Sequence, residues 1–259
     1  MRRTVLAVAA ALCAVFPPPA GAQFGPPPRP EPPRPPRAAA PVDFTGDWVA
    51  VVTEDWRWRM MTPLKGDAAS VPTTPAARKI IDAWDPARDE AAGLQCQAYG
   101  GPAIMRVPGR LRIRWLDDET LQIETDAGQQ TRVLRFGGQP PADTAPSWQG
   151  YSSARWGPAA AAPAFALFGG EVRGQSRTLE VTTTHLREGY LRKNGVPYSD
   201  QTVLREFFDR FDEPNGDQWF MVTTVVEDPV YLAVPFVTTS HFKKIPDGAG
   251  WSPEPCTAR

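Results

Sequence analysis

The clearest order in this chain is a period of two. Leu111, Ile113 and Trp115 alternate with Arg110, Arg112 and Arg114, which predicts a strand with one apolar and one wet face. The Asp117-Asp118 pair supplies a turn, Leu121 and Ile123 alternate with Gln122 and Glu124, and residues 129–136 complete a three-strand meander. Arg112 and Arg114 are expected to pair with Glu124 and other carboxylates across that sheet. Residues 43–59, DFTGDWVAVVTEDWRWR, crowd aromatic and β-branched side chains together and read as strand. Strand patterns resume at 178–186, 202–211, 219–227 and 231–243, with Asn215-Gly216 as the strongest hairpin signal.

Two stretches break the pattern. Residues 60–102 are rich in Pro, Ala and Gly, and hold one predicted helix, with Thr74 as N-cap and Pro75 at the first helical position. It runs through Ile80 and Ile81 and ends near Trp84, before Pro86. Residues 137–177 read as loop. The sum is a mainly β domain of about eight to ten strands with one short helix, which most naturally closes into an antiparallel barrel without exposed edges. A two-sheet β-sandwich is the alternative.

Ahead of this domain, Arg2 and Arg3 precede an apolar run from Val5 to Phe16, and Ala20, Gly21 and Ala22 offer a small-x-small cleavage pattern. Residues 1–22 therefore read as a signal peptide, and Pro17, Pro18 and Pro19 end the run too early for a membrane span. Residues 23–41 are a Pro/Arg-rich stretch expected to form an extended linker. Residues 42–259 follow as a single β domain, periplasmic or secreted, with no transmembrane segment in the mature protein. The 28 basic and 29 acidic side chains of the chain, less the five Arg and one Glu of residues 1–41, leave 23 against 28. That acidic balance argues against nucleic acid as a partner. With Cys13 in the leader, Cys96 and Cys256 remain, and in an oxidising compartment they are expected to form a disulfide.

Gly46-x-Trp48 resembles the signature of lipocalin and related calycin barrels, whose Trp plugs one end. A longer resemblance is carried by PSWQGYSSARW (146–156), LEVTTTHLREGYLRKNGVPYSD (179–200) and VVEDPVYLAVPFVTT (225–239). These segments are similar to a large family of uncharacterised exported bacterial proteins reading W-x-G-[DT]-L-x-V-x-T-T-H, then Y-L-R-R-N-G-V-P-x-S, then V-x-D-P-x-Y-L-x-x-P-F. The resemblance implies kinship and no particular activity. The chain departs from the pattern at residues 157–177, where relatives pass directly from Trp into the next strand.

Candidate chemistry is sparse. His185 shares a strand face with Leu179, Val181 and Thr183, and His241 shares one with Val237 and Thr239, so both are expected to point inward. With Tyr190, Tyr198, Glu206 or Asp228 nearby they could act as acid and base on a small substrate. No metal site is expected, because the ligand types lack the close spacings that signal one, and no cofactor fingerprint is present. Trp56-Arg57-Trp58-Arg59 reads either as an aromatic platform whose arginines hold an anionic group, or as a barrel seal with solvated arginines. Trp48, Trp56, Trp58, Trp115 and Trp219 are the candidate ligand-binding aromatics. The preferred expectation is an exported protein that binds a small apolar or aromatic molecule in a barrel cavity. An enzyme using His185 or His241, and a structural envelope protein with a filled core, are the alternatives.

Overall fold

Strands with one apolar face must close on themselves or pack against another layer. In the computed structural model, which describes residues 34–157 and 178–259, they close. The strands are β1 (Gly46–Val51), β2 (Arg110–Trp115), β3 (Thr120–Thr125), β4 (Thr131–Phe136), β5 (Tyr151–Trp156), β6 (Thr178–Thr184), β7 (Gly189–Arg192), β8 (Val196–Tyr198), β9 (Val203–Asp212), β10 (Gln218–Glu227) and β11 (Phe236–Ile245). Nine of them form a closed barrel in the order β1-β11-β10-β9-β6-β5-β4-β3-β2, and β7 pairs with β8 in a separate hairpin. Closure excludes the sandwich.

The barrel is mixed rather than wholly antiparallel, because β4 and β5 run parallel with Leu134 opposite Ser152 and Phe136 opposite Ala154. A ring of nine strands cannot alternate direction all the way round, so at least one neighbouring pair must be parallel. Residues 137–150 form the return crossover that such a pair requires. The β9–β10 hairpin turns at Pro214-Asn215-Gly216, closed by Glu213 N donating to Asp217 O at 2.8 Å. Gly216 alone takes positive φ there, at 88°, so the turn is the three-residue kind with a left-handed glycine instead of the expected two-residue kind.

Four short helices lie between β1 and β2: α1 (Trp56–Arg59), α2 (Pro75–Ala83), α3 (Pro86–Ala91) and α4 (Gly101–Ile104). The predicted helix is α2, with the Thr74 side chain accepting from Ala77 N. The single strand expected over 43–59 is corrected, since β1 ends at Val51 and residues 56–59 form a helical turn. Asp55 enters that turn at φ 53°, and its carbonyl accepts from Trp58 N and Arg59 N. Likewise β11 begins at Phe236 rather than Tyr231.

Side chains fill the barrel. At the end where β1 begins, Trp48 donates Nε1–H to Phe44 O at 2.9 Å and meets Phe220 edge-on at 4.7 Å, and Phe220 stacks on Phe242 at 4.8 Å. Trp48, Phe208, Phe220 and Phe242 are all buried. Midway along the barrel, Arg132 and Glu206 form a bidentate pair at 2.9 and 2.6 Å, and the Ser152 and Thr183 hydroxyls bond at 2.7 Å. At the opposite end, Leu186, Leu204, Val226 and Phe236 pack with Ile81 of α2 and with Val196 and Tyr198 of β8, so the excursion after β1 caps the barrel.

After β11 the chain runs back to that cap. Arg110 donates to Ala249 O, Arg112 lies 3.9 Å from the Trp251 ring centroid, and Glu254 N donates to Asp126 O. Cys256 is bonded to Cys96, which fastens the C-terminal tail to the cap. Arg112 and Arg114 pair with Asp47 instead of Glu124. Asp47 keeps its carboxyl low: burial opposes ionisation, but the Gly248 N–H and the two arginines outweigh it. The signal peptide at 1–22, linker residues 23–33 and loop residues 158–177 lie outside the described residues. Linker residues 34–41 depart from the expected extended spacer. They turn against the barrel, with Arg37 N donating to Asp118 O and Trp156 Nε1–H to Pro36 O.

Candidate functional site

The proposed acid–base cluster does not assemble. The inward residues of β11 are Phe236, Thr238, Ser240 and Phe242, which places His241, with Val237 and Thr239, on the outer wall. Its Nδ1 lies 3.1 Å from Glu54 Oε2 and 3.3 Å from Thr53 Oγ1. His185 follows β6 at φ 54°, a left-handed turn that breaks the alternation, and its Nδ1 bonds the Thr184 hydroxyl at 2.9 Å.

Of the other four candidates, three are committed to structural partners. Glu206 is consumed by Arg132. Asp228 accepts from Ser199 N, from Thr202 Oγ1 at 2.7 Å, and from Val230 N and Tyr231 N at 2.7 and 2.9 Å. Burial raises its pKa, yet these donations together hold it below the usual carboxylate value. Tyr190 donates to Asp89 at 3.1 Å, and burial followed by that carboxylate pushes its phenol pKa up. Tyr198 is fully buried with its hydroxyl unpartnered.

The five tryptophans also separate. Trp48 belongs to the core, Trp219 lies on the outer wall with the Lys243 ammonium 5.7 Å from its ring, and Trp56 is exposed. Trp115 packs on Phe136 beside an open recess shared with Arg37 and Arg210. Trp58 alone among them lines the cavity on the cap, a space of about 410 Å³. Its walls come from α1, from the end of α4 and the residues after it, from β7 and from the C-terminal tail.

Three buried arginines line that cavity, Arg59, Arg106 and Arg192, and the exposed Arg259 lies at its edge. Arg59 donates Nη1 to Glu54 at 2.5 Å and Nε to Arg106 O at 2.9 Å. Arg106 donates Nη2 to Asp55 at 2.9 Å. Arg192 donates to neutral acceptors, Ala69 O at 2.8 Å and Ser70 Oγ at 2.9 Å, and stands 4.7 Å from the Trp58 ring centroid. All three are more than nine-tenths buried, and each keeps one nitrogen without an acceptor: Arg59 Nη2, Arg106 Nη1 and Arg192 Nε.

Their electrostatics agree with the geometry. Burial, then repulsion from Arg106, pushes Arg192 down to about 10, so it stays charged at neutral pH. Burial lowers Arg59 too; Glu54 opposes that shift and Arg106 adds to it. Glu54 and Asp55 thus answer two of the three cations directly, while the third meets neutral oxygens.

Trp58, Met60, Met61 and Leu191 make part of the wall apolar, and Lys193, Glu254, Thr257 and Arg259 add polar and charged groups to it. Among the described residues that line the cavity there is neither a His nor a Cys. No group of three or more His, Cys, Asp or Glu among the described residues is placed to hold a metal.

Sequence reasoning singled out the Trp56–Arg59 stretch, with its arginines either holding an anionic group or facing solvent, and it passed over Arg106 and Arg192. Arg106 sits in the apolar run Ile104-Met105-Arg106-Val107, whereas Arg192 is followed by Lys193 and Asn194 and carries no such mark. A charge inside such a run is the signal that was there to read. Comparison with protein-family profiles, curated proteins and solved structures finds no match to this chain.

Proposed function

We propose that this is an exported binding protein whose ligand, a small organic anion, sits in the cavity on the barrel cap and not inside the barrel. The observation that carries this reading is the convergence of three buried arginines on one cavity, where Glu54 and Asp55 pair with two of them and Arg192 donates only to neutral acceptors. A ligand supplying anionic oxygens offsets the mutual repulsion of the three cations, and guanidinium groups are suited to planar carboxylates. The cavity volume of about 410 Å³ falls in the range of small-molecule sites.

The packed barrel acts as scaffold. Its filled interior also supports the structural-protein reading, but that reading gives no account of the three arginines. Dispersal of His185 and His241 leaves the enzymatic alternative without a site. The Cys96–Cys256 bond supports an oxidising compartment and hence export.

Titration calorimetry on the full chain with benzoate tests this. One benzoate per chain is expected, and Arg192→Lys, which keeps charge but loses the planar fork, is expected to weaken it by about 10- to 150-fold, the worth of one charge-assisted hydrogen bond. Absence of binding by benzoate, acetate and inorganic phosphate at millimolar concentration would defeat the reading.

A further inference from the structure

Exposed large apolar side chains are not spread evenly over this protein. Among the described residues, Trp56 (64%), Met60 (59%), Met61 (72%) and Leu64 (81%) all fall within residues 56–64. The others, Leu116, Phe211, Val234 and Val237, are scattered along the chain. Single exposed apolar residues need no explanation, but two adjacent exposed methionines on the wall of a cavity do. Met60 and Met61 line the same cavity as Arg59, Arg106 and Arg192, with the Trp58 ring alongside. The segment is held in place by its polar neighbours: Arg57 pairs with Asp67 at 2.7 Å, and Asn194 donates to the Leu64 and Asp67 carbonyls at 2.9 and 2.8 Å. The methionine side chains extend from this anchored backbone without serving the core.

We propose that the anion taken by this site is an amphiphile: a carboxylate that meets the arginines and carries an unbranched or aromatic apolar body lying over Met60 and Met61. This rests on the cap-cavity reading and names the ligand class within it. A molecule whose head reaches the guanidinium groups can lay its body against the two methionines, because they line the same cavity. Thioether side chains are flexible and polarisable, so they adapt to an alkyl chain or an aromatic ring alike. The charge at the head selects against uncharged lipids, and the limited volume selects against bulky ones.

The test uses the alkanoates acetate, butanoate, hexanoate and octanoate below micellar concentration, with octan-1-ol as the uncharged control, titrated into the full chain. Affinity is expected to rise by up to about fourfold for each methylene that becomes covered, and octanol is expected to bind far more weakly than octanoate. Met60→Ser/Met61→Ser, at two exposed positions, is expected to flatten the dependence on chain length. Equal affinity for acetate and octanoate would overturn the amphiphile proposal and leave the anion site standing. So would an undiminished chain-length dependence in the double variant, or octanol binding as tightly as octanoate. Binding of no carboxylate at all would remove the site itself.

Discussion

Replacing Glu206 by Gln probes whether the barrel is filled and dry. Glu206 and Arg132 are both wholly buried, joined by two hydrogen bonds of 2.9 and 2.6 Å. They lie at the level of Val181 and Thr224, which flank Glu206, and of Ile123, which faces Arg132. Removing one charge of such a pair leaves the other buried and uncompensated, at a cost of about 3–5 kcal/mol. In a domain of this size each kcal/mol lowers Tm by about 2–4 °C, so Glu206→Gln should melt about 6–20 °C below the parent. The double variant Arg132→Met/Glu206→Met removes both charges and keeps similar volume, and it should recover most or all of that loss. Near-UV circular dichroism during heating, with urea titration for the free energies, measures both. A Glu206→Gln protein melting within about 2 °C of the parent would mean that water reaches the Arg132 guanidinium. The interior would then hold a hydrated cavity, and the reason for placing the ligand on the cap would fail.

Asp228→Asn should cost about 1–3 kcal/mol at pH 7, since it weakens the four donations that tie residues 199–202 to 228–231. The folded pKa of Asp228 lies below its unfolded value. Its stabilisation is therefore complete above about pH 3.9 and is lost as pH falls through the folded pKa, so the parent and Asp228→Asn curves should converge in acid. Reducing Cys96–Cys256, which spans 160 residues, should lower stability by up to about 5 kcal/mol in the chain-entropy account. It should also weaken benzoate binding, because Glu254, Pro255 and Thr257 of the freed tail line the cavity; calorimetry with and without reductant reads this. Gly195→Ala should be strongly destabilising in thermal melts, since φ there is 80° and a new Cβ would fall 2.3 Å from the Trp84 ring.

Period-two alternation located β2, β3, β4, β6, β9 and β10 because each has one face in the core and one in water. The same rule failed for His241 for an identifiable reason. Alternation says which residues share a face; choosing the inward face needs a contrast in hydrophobicity. On β11 the interior carries Thr238 and Ser240 while Val237 is exposed, so that contrast is missing. Thr74-Pro75 marked α2, and Asp85-Pro86 carries the same signature for α3, with the Asp85 side chain accepting from Ala87 N; it was legible and went unread. The arginine site was not legible as a whole. Arg59, Arg106 and Arg192 come from segments far apart in sequence, and their burial depends on how the cap folds over the barrel end. Period and spacing carry no trace of that.

The most direct measurement is a crystal structure of the full chain with 4-bromobenzoate, located by the anomalous signal of its bromine. The account predicts one site on the cap, with the carboxylate on the Arg59, Arg106 and Arg192 guanidinium groups and the bromine over Met60 and Met61. Bromine density inside the barrel, between β4 and β9, or no ordered ligand on the cap at saturating concentration, would contradict it.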